Sequence, residues 1–150
     1  MAADAPGSGS DGWVVVFGEA RGFANQVVAG THRFPADEPE AAGGTDTGPG
    51  PYDLLLAALG TCTSMTVSLF ARRRKWPLES VTVRLRHSRI YVQDCERCEK
   101  EDGRVDRIER EITLAGKLDP AQRQALLAIA DKCPVHRTLT HEIRIDTRLV

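Results

Sequence analysis

Hydrophobic positions along the chain change their period several times, and each change predicts an element. Residues 13–17 are a β-branched and aromatic run, and residues 26–29 and 31–34 follow across short glycine-containing turns. Such runs predict three short strands in a meander. Residues 35–50 hold Asp37-Glu-Pro-Glu40 and Gly43-Gly-Thr-Asp-Thr-Gly-Pro-Gly50, a density of helix breakers that predicts a loop.

Pro51 suits the first position of a helix, and Asp53 places a carboxylate in its first turn, near the positive end of the helix dipole. The helix is expected over residues 52–75. Leu54, Leu55, Leu56, Ala57, Ala58 and Leu59 cover every face of its first half, which predicts burial all round rather than an amphipathic stripe. Arg72, Arg73, Arg74 and Lys75 suit the negative end of the dipole, and Trp76-Pro77 stops the helix. A chain of 150 residues has too few other elements to wrap such a helix, so a second copy is expected to cover it.

Val81, Val83, Leu85 and His87 alternate with Thr82, Arg84 and Arg86, the two-residue period of a half-buried strand. Ile108, Ile112 and Leu114 repeat that phase in residues 107–114, with Arg and Glu expected to face outward. The charged segment 93–104 joins the two strands. Asp119 caps a helix that opens with Pro120 and carries Leu126, Leu127, Ile129 and Ala130 at helical spacing. After Cys133-Pro134 a short helical turn leads to a last strand, with Ile143, Ile145 and Leu149 inward. The order β-β-β-α-β-β-α-β predicts an α+β fold with a mainly antiparallel sheet.

The length fits one domain over residues 13–150 behind a flexible tail of residues 1–12, with a core large enough to need no disulfides. Twenty basic and 21 acidic residues leave a net charge of -1 and no basic patch for nucleic acid or an anionic membrane. No segment is expected to reach the roughly 20 apolar residues of a membrane-spanning helix. A cytoplasmic location is expected, and there cysteines are free, catalytic or metal-bound rather than structurally bridged.

Four cysteines carry the candidate chemistry. Cys62 lies midway along the apolar helix, beside the hydroxyls of Thr61, Thr63 and Ser64. It is either a small apolar filler or a nucleophile next to a dimer seam. Cys133 follows the second helix, where the negative end of the dipole opposes thiolate formation and suits a resolving thiol better than a first attacker. His136 and Arg137 stand near enough in sequence to offset that dipole. Cys95-x-x-Cys98 is flanked by Asp94, Glu96, Glu99, Glu101 and Asp102, carboxylates that make it a poor nucleophilic pair. Joined to Cys133-x-x-His136 it would form a Cys3His zinc set. Zinc in a non-catalytic binding domain is therefore the alternative to thiol redox chemistry, and the two compete for Cys133.

The segment Gly48-Pro-Gly-Pro-Tyr-Asp-Leu-Leu-Leu-Ala-Ala-Leu-Gly-Thr-Cys-Thr-Ser-Met-Thr66, with Lys132-Cys-Pro-Val-His-Arg-Thr-Leu139, resembles the OsmC/Ohr family of peroxide-reducing proteins. The resemblance implies an intertwined homodimer with a cysteine pair at each of two interface sites. It makes Cys62 the peroxidatic and Cys133 the resolving cysteine. An organic hydroperoxide is then the substrate, a thiol or dithiol the reductant, and no cofactor is required. The family's arginine, which keeps the thiolate ionised, matches Arg21. Its supporting glutamate does not carry over: Tyr52 holds that position and Asp53 follows it, about 100° around the helix.

Overall fold

The computed structural model describes residues 12–96, 98 and 103–150. Among the described residues, five strands and three α-helices form a mixed α/β fold with two antiparallel sheets, β1-β2-β3 and β4-β5, where one sheet was expected. The described residues divide into two compact units, one ending at Leu55 and the other beginning at Leu56, with the boundary inside the first helix. Of the expected tail, all but Gly12 lies outside the described residues.

In the first unit, β1 (Val14–Gly18), β2 (Asn25–Ala29) and β3 (His32–Ala36) form the expected meander. Ala29 pairs with His32 across a two-residue turn, and Gly30 takes the positive φ of 61° that such tight turns require. Pro35 is tolerated in β3 because that strand is an edge.

The loop after β3 is organised by one buried carboxylate. Asp37, 2% exposed, accepts from the Thr45 hydroxyl (2.6 Å) and amide (3.1 Å), the Thr47 hydroxyl (2.9 Å) and amide (3.2 Å), and the Glu38 amide (2.8 Å). The Thr45 hydroxyl contributes most to holding Asp37 well below the usual carboxylate range; burial opposes it, and the Glu38 and Thr47 donors reinforce it. A carboxyl with a depressed folded pKa contributes stability above its unfolded pKa, and that contribution is lost as pH falls toward the folded value. Asp37→Asn is therefore expected to lower the thermal midpoint at neutral pH and to flatten its decline below about pH 4. Melting curves of both proteins across that acid range check this.

Helix α1 (Pro51–Arg73) opens as expected. The Asp53 carboxylate reaches back to accept from the Gly50 amide at 3.0 Å, half of a capping box. The helix ends two residues before the expected Lys75. Lys75 takes a φ of 55°, its amide donates to Arg72 O and the Trp76 amide to Ala71 O, the paired bonds of a Schellman stop.

Within the single chain α1 is buried along one side. Leu59, Gly60, Thr63, Val67 and Ala71 form one buried stripe, whereas Leu55, Met65 and Leu69 are exposed. By length and mean hydropathy (1.8) α1 could cross a membrane, contrary to the estimate from residue runs. The hydroxyls that seemed to interrupt the run are folded onto the helix, Thr61 onto Ala57 O (2.8 Å) and Thr63 onto Leu59 O (2.7 Å). That return bond hides much of their polarity. The buried stripe packs into the core of the second unit, where Val67 and Ala71 meet Leu118, Leu126 and Ala130, flanked by Val81, Ile112 and Leu114.

The strands β4 (Leu78–Tyr91) and β5 (Arg104–Gly116) pair along their whole length, longer than their periodic cores predict. Cross-strand pairs such as Arg84 with Glu111 (3.1 Å) and Arg86 with Glu109 line the outer face. Exposed pairs of this kind add little stability. Helix α2 (Pro120–Ala130) carries a complete capping box between Asp119 and Gln122. Helix α3 (Pro134–Leu139) follows at once. The expected last strand is not formed: residues 142–150 have no regular structure, and Ile143, Ile145 and Leu149 are exposed. An alternating pattern needs a neighbouring strand edge to pair with, and the pattern itself does not say which chain provides it.

Candidate functional site

Two helices and one strand of the second unit converge on a pair of free thiols. Helix α1 supplies Cys62, half-buried, and Thr63, fully buried. The turn between α2 and α3 supplies Cys133, also fully buried. Cys133 follows the end of α2 as expected, its amide donating to Ala130 O at 3.3 Å. It is the N-cap of α3, extended at φ -63° and ψ 140°, with Pro134 in the first turn. Its sulfur accepts from the His136 amide at 3.3 Å, and the Cys62 sulfur accepts from the neighbouring Val135 amide at 3.5 Å. Consecutive amides of one turn thus each hold one thiol, and at Cys133 the His136 amide works against the α2 dipole.

Thr63 joins this pair to a cation. Its hydroxyl hydrogen goes to Leu59 O, and Arg110 Nη1 donates to its oxygen at 2.9 Å. With that one hydrogen already used, the 3.8 Å contact between Thr63 Oγ1 and Cys133 Sγ has the thiol as donor. Arg110 Nη2 donates to Asp131 Oδ1 at 2.5 Å, and Nη1 lies 3.4 Å from Ala130 O. His136 Nδ1 stands 3.9 Å from the same Asp131 oxygen. One planar guanidinium, its side chain 12% exposed, therefore ties β5 to α1 and to the α2–α3 turn.

Arg110 corrects the expectation that the charges of β5 face outward. It shares the even-numbered phase of Ile108, Ile112 and Leu114 and points the same way. That parity was the available signal: a charge in step with the inward residues of a strand needs a buried partner.

Arg21 is exposed in the connection between β1 and β2, in the first unit. Asp53, in the same unit, is used in capping α1. The zinc set is not assembled, because Cys95 and Cys98 are bonded to each other as a disulfide. Among the described residues no three His, Cys, Asp or Glu side chains gather as a metal site.

The OsmC-like protein family model matches residues 44–148, which include both thiols, Arg110 and Asp131. The chain belongs to the OsmC-like family. Among solved structures it resembles a Psychrobacter arcticus protein named for osmotic stress and detoxification response, at 18% identity and a TM-score of 0.64, covering 88% of this chain and 90% of that one. The organic hydroperoxide resistance protein OsmC of Legionella pneumophila matches at 21% identity and a TM-score of 0.61, over 85% and 88% of the two chains. An organic hydroperoxide resistance protein of Elizabethkingia anophelis matches at 18% and 0.61, over 85% and 86%. At these identities the likeness establishes the OsmC-like fold. No curated protein matches the chain by sequence.

Proposed function

We propose that this OsmC-like protein reduces organic hydroperoxides, with Cys62 as the attacking and Cys133 as the resolving cysteine. The observation that carries the reading is that the two free thiols meet consecutive amides of one turn, the half-buried Cys62 on Val135 and the buried Cys133 on His136. Family membership supports a peroxide-related role, as do the names of the hydroperoxide resistance proteins that share the fold.

In the proposed cycle the Cys62 thiolate attacks the terminal peroxide oxygen, the O–O bond breaks, and the alkoxide takes a proton and leaves as the alcohol. Cys62 is then a sulfenic acid. Cys133 attacks that sulfur, water leaves and a disulfide forms, which two external thiols or one dithiol reduce back to the pair. The amides of Val135 and His136 are donors aimed at the two sulfurs and offset negative charge on them without reorganising. Arg21 is assigned the role of stabilising the thiolate, with Asp53 as its carboxylate. Arg110 provides a second guanidinium, one residue away from Cys62 through Thr63.

The assembly proposed is a homodimer of single-domain chains, in which the partner covers the exposed Leu55, Met65 and Leu69 face of α1 and pairs with residues 142–150. The proposed location is the cytoplasm.

Adding one equivalent of cumene hydroperoxide to reduced protein tests the reading. The expected product is cumyl alcohol in equal amount, with a Cys62–Cys133 disulfide identified by peptide mass. Unconsumed peroxide with both thiols still alkylatable would overturn it. In Cys133→Ser the expected product is a Cys62 sulfenic acid that dimedone traps after a single turnover.

A further inference from the structure

The disulfide between Cys95 and Cys98 belongs neither to the Cys62 and Cys133 pair nor to the hydrophobic core. It lies in the connection between β4 and β5, next to the short helical turn Val92–Asp94. Leu85 pairs with Arg110 at the level of the thiol site, and the ladder continues six residues further to Tyr91 and Arg104. At about 3.3 Å per residue, the end of the ladder is roughly 20 Å from that level, too far for direct exchange between the two cysteine pairs of one chain.

The bond has little structural work to perform. The paired strands already close the connection, and the Val92 amide donates to Gly103 O at 3.0 Å beyond the last pair. A disulfide that spans a sequence separation of 3 removes little entropy from the unfolded chain. Both cysteines instead border a surface cleft. Cys95 and Cys98 are half-buried and line a surface cleft of about 440 Å³ together with Ile90, Asp94, Glu96, Val105, Asp106 and Arg107. Attack on a disulfide requires a thiolate to approach along the S–S axis, which an open cleft beside the bond permits.

We infer that Cys95–Cys98 is a second redox centre, a thiol–disulfide exchange site for an external thiol reductant. One thiolate attacks either sulfur, the Cys95–Cys98 bond breaks and a mixed disulfide forms. A second thiol, from another molecule or from the same dithiol, attacks the mixed disulfide, so that the donor leaves as its own disulfide. Two electrons and two protons pass to the protein, which then holds two thiols. This chemistry is independent of the peroxide reading.

The test uses the native wild-type chain in buffers of reduced and oxidised dithiothreitol, followed by acid quench, alkylation and peptide mass analysis. Each cysteine peptide is read separately, so failure at Cys62 and Cys133 cannot be confused with failure here. The expected result is that Cys95 and Cys98 become alkylatable together, in one two-electron transition, while the thermal midpoint shifts by less than about 5 °C. A bond that survives excess dithiothreitol in the folded protein would overturn the inference. So would two free thiols in fully oxidised buffer, or a larger fall in the midpoint, which would mark the bond as a structural staple.

Discussion

Cys62→Ser is expected to remove hydroperoxide turnover, lowering the rate constant for peroxide consumption by at least about a thousandfold. A serine hydroxyl keeps the shape of the side chain and can still accept from the Val135 amide, but at neutral pH it is almost wholly protonated and does not attack an O–O bond. The substitution is close to isosteric at a half-buried position. Stability should therefore change by less than about 1 kcal/mol, so lost turnover is not lost fold. Stopped-flow consumption of cumene hydroperoxide by wild type and variant, with melting curves alongside, makes the comparison. Turnover at the wild-type rate in Cys62→Ser would exclude Cys62 as the nucleophile.

Arg110→Leu is expected to have the largest combined effect on stability and chemistry. The guanidinium donates to Thr63 and Asp131 and approaches Ala130 O, and leucine supplies none of these contacts. Hydrogen bonds to charged groups contribute roughly 1.5–3 kcal/mol, and partners left unsatisfied add to the loss. A destabilisation of about 2–4 kcal/mol follows, measured by denaturant unfolding. Arg110→Lys separates structure from chemistry. An ammonium keeps the charge but lacks the planar fork that serves Thr63 and Asp131 together. In Arg110→Lys, disulfide formation after Cys62 oxidation should slow by about tenfold, since Thr63, the contact of Cys133, loses its fixed donor. Condensation at the wild-type rate in a folded Arg110→Lys protein would leave Arg110 a purely structural role.

Much of the fold could be read from local physics. The alternation of Val81, Val83 and Leu85 located β4, and the Asp119–Pro120 start located α2, because strand period and helix caps are set within a few residues. A run of leucines states that surface must be covered, not which chain covers it, and within one chain α1 has a single buried stripe. The same gap explains residues 142–150, whose alternation names no neighbour.

The site was legible to a different depth at each residue. Cys62 and Cys133 stood out by their sequence setting. Only half of the setting of Cys133 was read: Lys132-Cys-Pro closes one helix and opens the next, and Pro134 in the first turn of α3 marked the opening. Arg110 was hidden by the habit of reading charge as exposure, although its phase along β5 was open to inspection. The Cys95–Cys98 bond could not be chosen from spacing alone, because a two-residue gap serves metal binding, exchange and bridging alike.

Helix α3 begins on a sulfur. A capping oxygen such as that of Asp119 is chemically inert, whereas Cys133 is both the N-cap and, in the proposed cycle, a reactant. Each time it bonded to Cys62, both sulfurs that accept from the His136 and Val135 amides would change partner and charge. The proposed cycle thus runs through the atom that starts a helix of six residues.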